Sequence, residues 1–128
     1  MRTAELSVNE KATDKGHVIE VVGEVDLTTV NMLREPLLSQ VSKNPAQNVI
    51  VDLRGVDFID SAGLALLVEA RKRLATDGRT LYLIIAQGRQ PERVLRLVRF
   101  DTIMRLVYDL KEVSLPADHA QAPAVASE

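Results

Sequence analysis

The chain has no cysteine, which excludes disulfides, thiol nucleophiles and thiolate-based zinc sites and is compatible with a reducing compartment. Tryptophan is missing too, and aromatic residues make up 3% of the chain, too little for a base-stacking platform. Charge of one sign is equally scarce. Sixteen Lys and Arg against eighteen Asp and Glu leave a formal charge of -2. The cations are scattered among acids, so the basic stripe that binds DNA is absent. No apolar run approaches the roughly 18 residues of a membrane span; the longest are short stretches such as residues 64–68 and 81–86. Met1-Arg2-Thr3-Ala4-Glu5 leads into no apolar signal segment, so the expectation is a cytoplasmic protein without a membrane span.

What is there suits one folded domain. Apolar residues are 46% and charged residues 27% of 128 residues, a length that supports one hydrophobic core. The domain is expected over residues 1–115. Residues 116–128, with Ala, Pro and Ser and no periodicity, read as a mobile tail.

Residues 17–22 are rich in β-branched side chains and follow an Asp14-Lys15-Gly16 turn and a weaker alternating run at 4–8, which predicts a hairpin. Val30, Leu33, Leu37 and Val41 form a helical stripe from Leu27 on, with Asp26 as N-cap. Pro36 lies inside that stripe and predicts a kink or a helix start. Val49-Ile50-Val51-Asp52-Leu53 reads as a central strand covered on both faces. A second helix places Leu64, Leu67, Val68, Leu74 and Ala75 on one side and ends near Asp77-Gly78. A strand at 80–86 follows, then a third helix opened by Gln90-Pro91 and running to about Arg99. Residues 103–107 form a last strand. Asp109-Leu110-Lys111-Glu112 fits a capping box for a short helix that Pro116 ends. The order ββαβαβαβα describes an α/β fold, a mixed sheet with an antiparallel hairpin followed by parallel βα units and about four helices.

The informative stretch leads from the central strand through Asp57, Phe58 and Ile59 into Asp60-Ser61-Ala62-Gly63-Leu64. Ser61 falls at the mouth of the second helix, where free N–H groups collect and where it should be exposed. Gly63 stands in the first turn, about 0.5 to 1 kcal/mol worse there than alanine; close approach by another chain would explain a bare backbone. From the residues alone, Asp60 or Ser61 as a simple N-cap, with Gly63 accommodating packing, is the commoner use.

Asp60-Ser61-Ala62-Gly63-Leu64, preceded by the apolar strand and, further upstream, by Gly23-Glu24-Val25-Asp26, resembles the signature of the STAS anti-sigma-factor antagonists over roughly residues 4–115. The resemblance implies a single STAS-type domain and a non-enzymatic partner switch. An unphosphorylated antagonist binds an anti-sigma factor that is also a serine kinase, and so frees a sigma factor. Phosphorylation of the serine matching Ser61 abolishes binding, and a PP2C-type phosphatase restores it. It also implies that Asp26, Asp60, Ser61, Ala62, Gly63 and Leu64 form the partner-facing surface, with no catalytic residue, metal or cofactor. Two residues depart from the family pattern: Pro36 in helix 1, and Arg99 where many relatives end helix 3 with glycine.

Other readings follow from the same residues. STAS domains also serve as subunits of lipid-transport and stress-sensing assemblies. A receiver-like phosphoacceptor domain is suggested by Asp26, Asp52, Asp57 and Asp60 as a magnesium pocket, but the opening hairpin argues against it. His17 and His119 read as surface side chains. Thr28 and Thr29 are secondary phosphosite candidates whose ordinary use is local hydrogen bonding. Arg71 is expected to snorkel to solvent or meet a partner carboxylate. Arg89, Arg93, Arg96, Arg99 and Arg105 read as a solvated face.

Overall fold

The computed structural model describes residues 6–43 and 47–114. Strands β1 (Leu6–Thr13) and β2 (Gly16–Val25) form the expected hairpin, longer than the pattern indicated. Its tip is Asp14-Lys15. Thr13 Oγ1 accepts from the Lys15 N–H at 3.1 Å and donates to the Gly16 carbonyl at 2.8 Å. Then come α1 (Val30–Lys43), β3 (Val49–Ile59), α2 (Ser61–Ala75), β4 (Leu81–Ile84), α3 (Gln90–Leu97) and β5 (Arg105–Val107). Single 3-10 turns lie at Phe100–Thr102 and Leu110–Glu112.

The five strands stand in chain order, β1-β2-β3-β4-β5, antiparallel for the hairpin and parallel thereafter. Each crossover steps in the same direction, and right-handed crossovers that never reverse place all their helices on one face. The main core lies there: Leu33, Leu37 and Val41 of α1, Leu66, Leu67, Ala70 and Leu74 of α2 and Leu95 of α3 pack on Ile19, Val21, Val51, Leu53 and Leu83 of the sheet. On the opposite face Val18, Ile50, Tyr82, Ile84 and Val107 are covered by Leu110 and Val113. Lys15 pins that covering segment, its Nζ donating to the carbonyls of Lys111 at 3.1 Å and Val113 at 2.6 Å. β3 is therefore central and covered on both sides, as its apolar run predicts.

Several local expectations are corrected. α1 starts at Val30 and continues through Pro36, so no helix begins at the proline. The start is set upstream, where Asp26 accepts from the N–H groups of Thr29 and Val30. The proline costs about 3 kcal/mol, which burial of leucines at about 1.5 to 3 kcal/mol each offsets; Leu33 and Leu37 are buried on either side of it. In α2 the buried arc is Gly63, Leu66, Leu67, Ala70 and Leu74, while Ala75 is exposed and Leu64 and Val68 are half-buried. α3 ends at Leu97, and Arg99 takes a left-handed conformation, φ +68°. The helix-terminating geometry is thus kept although a side chain stands where glycine adopts it freely. At the last turn Asp109 Oδ1 caps Lys111 N, but Glu112 Oε2 accepts from Tyr108 N, one residue short of a true capping box. The expected tail at 116–128, with His119 and Pro116, lies outside the described residues.

Candidate functional site

β2 and β3 run side by side and finish at the same level, Val25 opposite Ile59. The Asp60 N–H donates to the Val25 carbonyl at 3.1 Å. This pairing brings together two segments far apart in the chain, the turn after β2 that carries Asp26 and the turn after β3 that carries Asp60 and Ser61. The site is the shared end of the two strands, where α1 and α2 begin.

Asp60 is the N-cap of α2, with extended backbone. Its Oδ1 accepts from the N–H groups of Ala62 at 2.9 Å and Gly63 at 3.3 Å. Its carbonyl accepts the first helical bond, from Leu64 N. With two of the orphan donors of the first turn so occupied, Ser61 stands at the first helical position and is exposed. Ala62 and Leu64 are half-buried.

Of the two readings of Gly63, accommodation of packing is the one that fits. It is buried, and a Cβ there would lie 2.6 Å from Ile59 Cγ1 and 2.8 Å from Val25 Cγ1. The bare backbone is required inside the chain, where α2 descends onto the ends of β2 and β3, and approach by a second chain is not needed to explain it.

Asp26 organises the neighbouring turn. Its Oδ1 accepts from the N–H and hydroxyl of Thr28 and from the N–H of Thr29, at 2.8 to 3.1 Å. The Thr28 hydroxyl foremost, against desolvation and helped by the backbone N–H groups of Thr28 and Thr29 and the Thr29 hydroxyl, holds the Asp26 carboxyl below its ordinary range. Thr29 is 3% exposed and its hydroxyl donates to the Glu24 carbonyl at 2.7 Å; it is a local hydrogen-bonder, whereas Thr28 is exposed. Leu27 beside it is 76% exposed.

The other acids go elsewhere. Asp57 is paired with Arg89, NH2 to Oδ1 at 2.6 Å, and Asp52 holds Arg54 in a two-point contact. Among the described residues no group of three or more His, Cys, Asp or Glu could hold a metal. The arginines expected as a solvated face are all exposed, and several also make local contacts: Arg93 to the Gly88 carbonyl, Arg96 to Glu92 and Tyr108, and Arg105 over the Tyr82 ring at 5.7 Å. Arg71 donates to the Ile103 carbonyl, and His17 meets Glu10 at 2.9 Å. Among the described residues no helix is long and apolar enough to cross a membrane.

A family model for the STAS domain matches residues 7–113. The anti-sigma-B factor antagonist of Staphylococcus aureus is 32% identical over 79 residues, 62% of this chain and 72% of that protein. The chain belongs to the STAS anti-sigma-factor antagonist family. The anti-sigma-F factor antagonist RsfB of Mycobacterium tuberculosis is 28% identical over 95 residues, 74% of this chain and 75% of the relative. At the level of fold, an anti-sigma factor antagonist from Mycobacterium paratuberculosis matches with a TM-score of 0.77 at 22% identity, covering 85% of this chain and 91% of that one.

Two features of this STAS site were not foreseen from the sequence. One is the Asp57–Arg89 pair. The other is Gln90, whose side-chain amide bonds the Ile59 backbone. Gln90-Pro91 was legible as a helix start, but a side chain that serves a strand more than thirty positions away leaves no periodic trace.

Proposed function

We propose that this chain is a non-catalytic anti-sigma-factor antagonist, switched by reversible phosphorylation of Ser61, that acts in the cytoplasm. Unphosphorylated, it binds an anti-sigma factor with serine-kinase activity through Asp26, Asp60, Ser61 and their neighbours, and the sigma factor is released. Phosphate on Ser61 turns binding off and a PP2C-type phosphatase resets the switch.

The observation that carries this reading is the exposed Ser61 at the first position of a 15-residue helix, with the Asp26 turn drawn alongside by the Val25–Ile59 pairing. A phosphate adds about -1.5 to -2 charges. The α2 N-terminus tolerates them, so the domain keeps its fold. Asp26 and Asp60 repel them, and a partner surface fitted to a neutral hydroxyl must desolvate them. Asp57 contributes little repulsion, because Arg89 answers its charge. Gly63 and Ala62 serve the surface mainly by shaping the helix start.

The test is incubation with an anti-sigma-factor kinase and ATP, followed by mapping of the phosphosite. Incorporation at Ser61 and none in Ser61→Ala supports the assignment. Undiminished incorporation in Ser61→Ala overturns it, and transfer to exposed Thr28 would relocate the switch to the adjacent turn.

A further inference from the structure

β3 is held unevenly along its length. Its pairing with β4 stops at Asp52 opposite Ile84, while β2 accompanies it on the other side as far as Ile59. Past residue 52, no strand among the described residues lies along the edge toward β4, so its buried backbone groups need other partners. At Ile59 they are met by one side chain. The Ile59 N–H donates to Gln90 Oε1 at 2.9 Å, and Gln90 Nε2 donates to the Ile59 carbonyl at 3.0 Å. The glutamine amide thus does for one residue what a paired strand does for several.

The consequence reaches the next peptide. The unit joining Ile59 to Asp60 is gripped from both sides, its carbonyl by Gln90 and its N–H by the Val25 carbonyl. Asp60 then caps α2 and Ser61 follows. Gln90 is itself anchored: the turn before it is closed by Gly88 N donating to Glu92 Oε1 at 2.7 Å, and Arg89 reaches Asp57.

We propose that Gln90 is a positioning residue for Ser61, fixing the last peptide of β3 and through it the attitude in which the first turn of α2 presents the serine hydroxyl. The role rests on reading Ser61 as the phosphoacceptor. The hydrogen bonds of the Gln90 amide go to the Ile59 backbone and not to the serine, so it acts through Ile59 and Asp60.

Two variants test it, Gln90→Ala and Gln90→Glu, each followed in two ways. Amide NMR needs no partner: in Gln90→Ala the Asp60, Ser61 and Gly63 resonances should move, and exchange at the Ile59 amide should rise about tenfold, while amides near Val51 stay unchanged. In Gln90→Glu the carboxylate at neutral pH has no proton to donate to the Ile59 carbonyl. As the pH falls through the ordinary glutamate range of about 4.3 it becomes a donor and acceptor of the same shape as the amide, and the three resonances should return toward wild type. With the anti-sigma-factor kinase that phosphorylates wild-type chain, Gln90→Ala should lose about tenfold in kcat with KM little changed, as expected for misplacement of the acceptor. Unchanged Ser61 and Gly63 resonances in Gln90→Ala, or moved resonances with unchanged kcat, would overturn the proposal. Should Gln90→Ala fail to fold, the pH series on Gln90→Glu decides, and no recovery on acidification counts against it. If wild-type chain accepts no phosphate, the proposed function fails, while the resonances still decide whether Gln90 positions the turn.

Discussion

Gly63 and Val25 approach so closely that a methyl group on the glycine would stand 2.8 Å from Val25 Cγ1. The contact joins the first turn of α2 to the end of β2, and it sets how near the Ser61 turn sits to the Asp26 turn. Gly63→Ala gains helix propensity of up to about 1 kcal/mol but overpacks Val25 and Ile59, for which about 1 to 3 kcal/mol is the usual cost. With the full propensity gain set against that cost, a net loss of up to about 2 kcal/mol is expected in denaturant unfolding. A more stable Gly63→Ala would contradict the close packing.

Asp60 offers a separation of cap from charge. Asp60→Ala removes the acceptor for Ala62 N and Gly63 N and should cost about 1 kcal/mol, whereas Asp60→Asn keeps the acceptor and should cost a few tenths. Equal losses in the two variants, measured by urea titration, would show that the carboxylate charge and not the cap matters to stability.

Arg99 holds φ +68°, a conformation that costs a side-chain-bearing residue about 1 to 2 kcal/mol. Arg99→Gly should therefore raise stability by about 1 kcal/mol, reduced by the extra freedom glycine gives the unfolded chain. A destabilised Arg99→Gly would mean that the arginine side chain contributes more than its backbone costs.

Most of the architecture was legible because it is written in periodic patterns. The β-branched run before Gly23, the stripe Val30, Leu33, Leu37 and Val41, and the apolar run at Val49 each repeat with the period of their element, and each element forms. The motif Asp60-Ser61-Ala62-Gly63-Leu64 marked a helix start for the same reason, since capping needs an oxygen at a fixed offset, whereas its reading as a partner surface came from the family resemblance. Tertiary matters were not legible. Pro36 was overridden by burial of its neighbours, Gly63 serves a contact with Val25 that no local rule contains, and Gln90 and Arg89 act on β3 across the fold.

Glu92 makes acid stability a test of the β4–α3 junction. The Tyr108 hydroxyl, then the Gly88 N–H, then Arg96 hold its carboxyl, ordinarily near 4.5, down to about 2. Because the folded value lies below the unfolded one, the stabilisation is fully present above about pH 4.5 and fades as the pH falls toward about 2. The gap in unfolding midpoint between wild type and Glu92→Gln should thus be widest near neutrality and close through that window. A gap that does not change with pH would show that the ionised carboxylate is not what ties Gly88 and Tyr108 together.

The most direct measurement is calorimetric binding of an anti-sigma factor to three samples, the unmodified chain, Ser61→Asp and the Ser61-phosphorylated chain, with thermal unfolding of the same samples. The phosphorylated chain should bind at least about tenfold more weakly, a difference of about 1.4 kcal/mol, with Ser61→Asp intermediate because it carries less charge and fewer acceptors. Its melting temperature should move by only a few degrees, since the α2 N-terminus accepts the added charge. Equal affinity of the phosphorylated and unmodified chains would contradict the switch, and melting of the phosphorylated chain near room temperature would replace an interface effect with an order-to-disorder one.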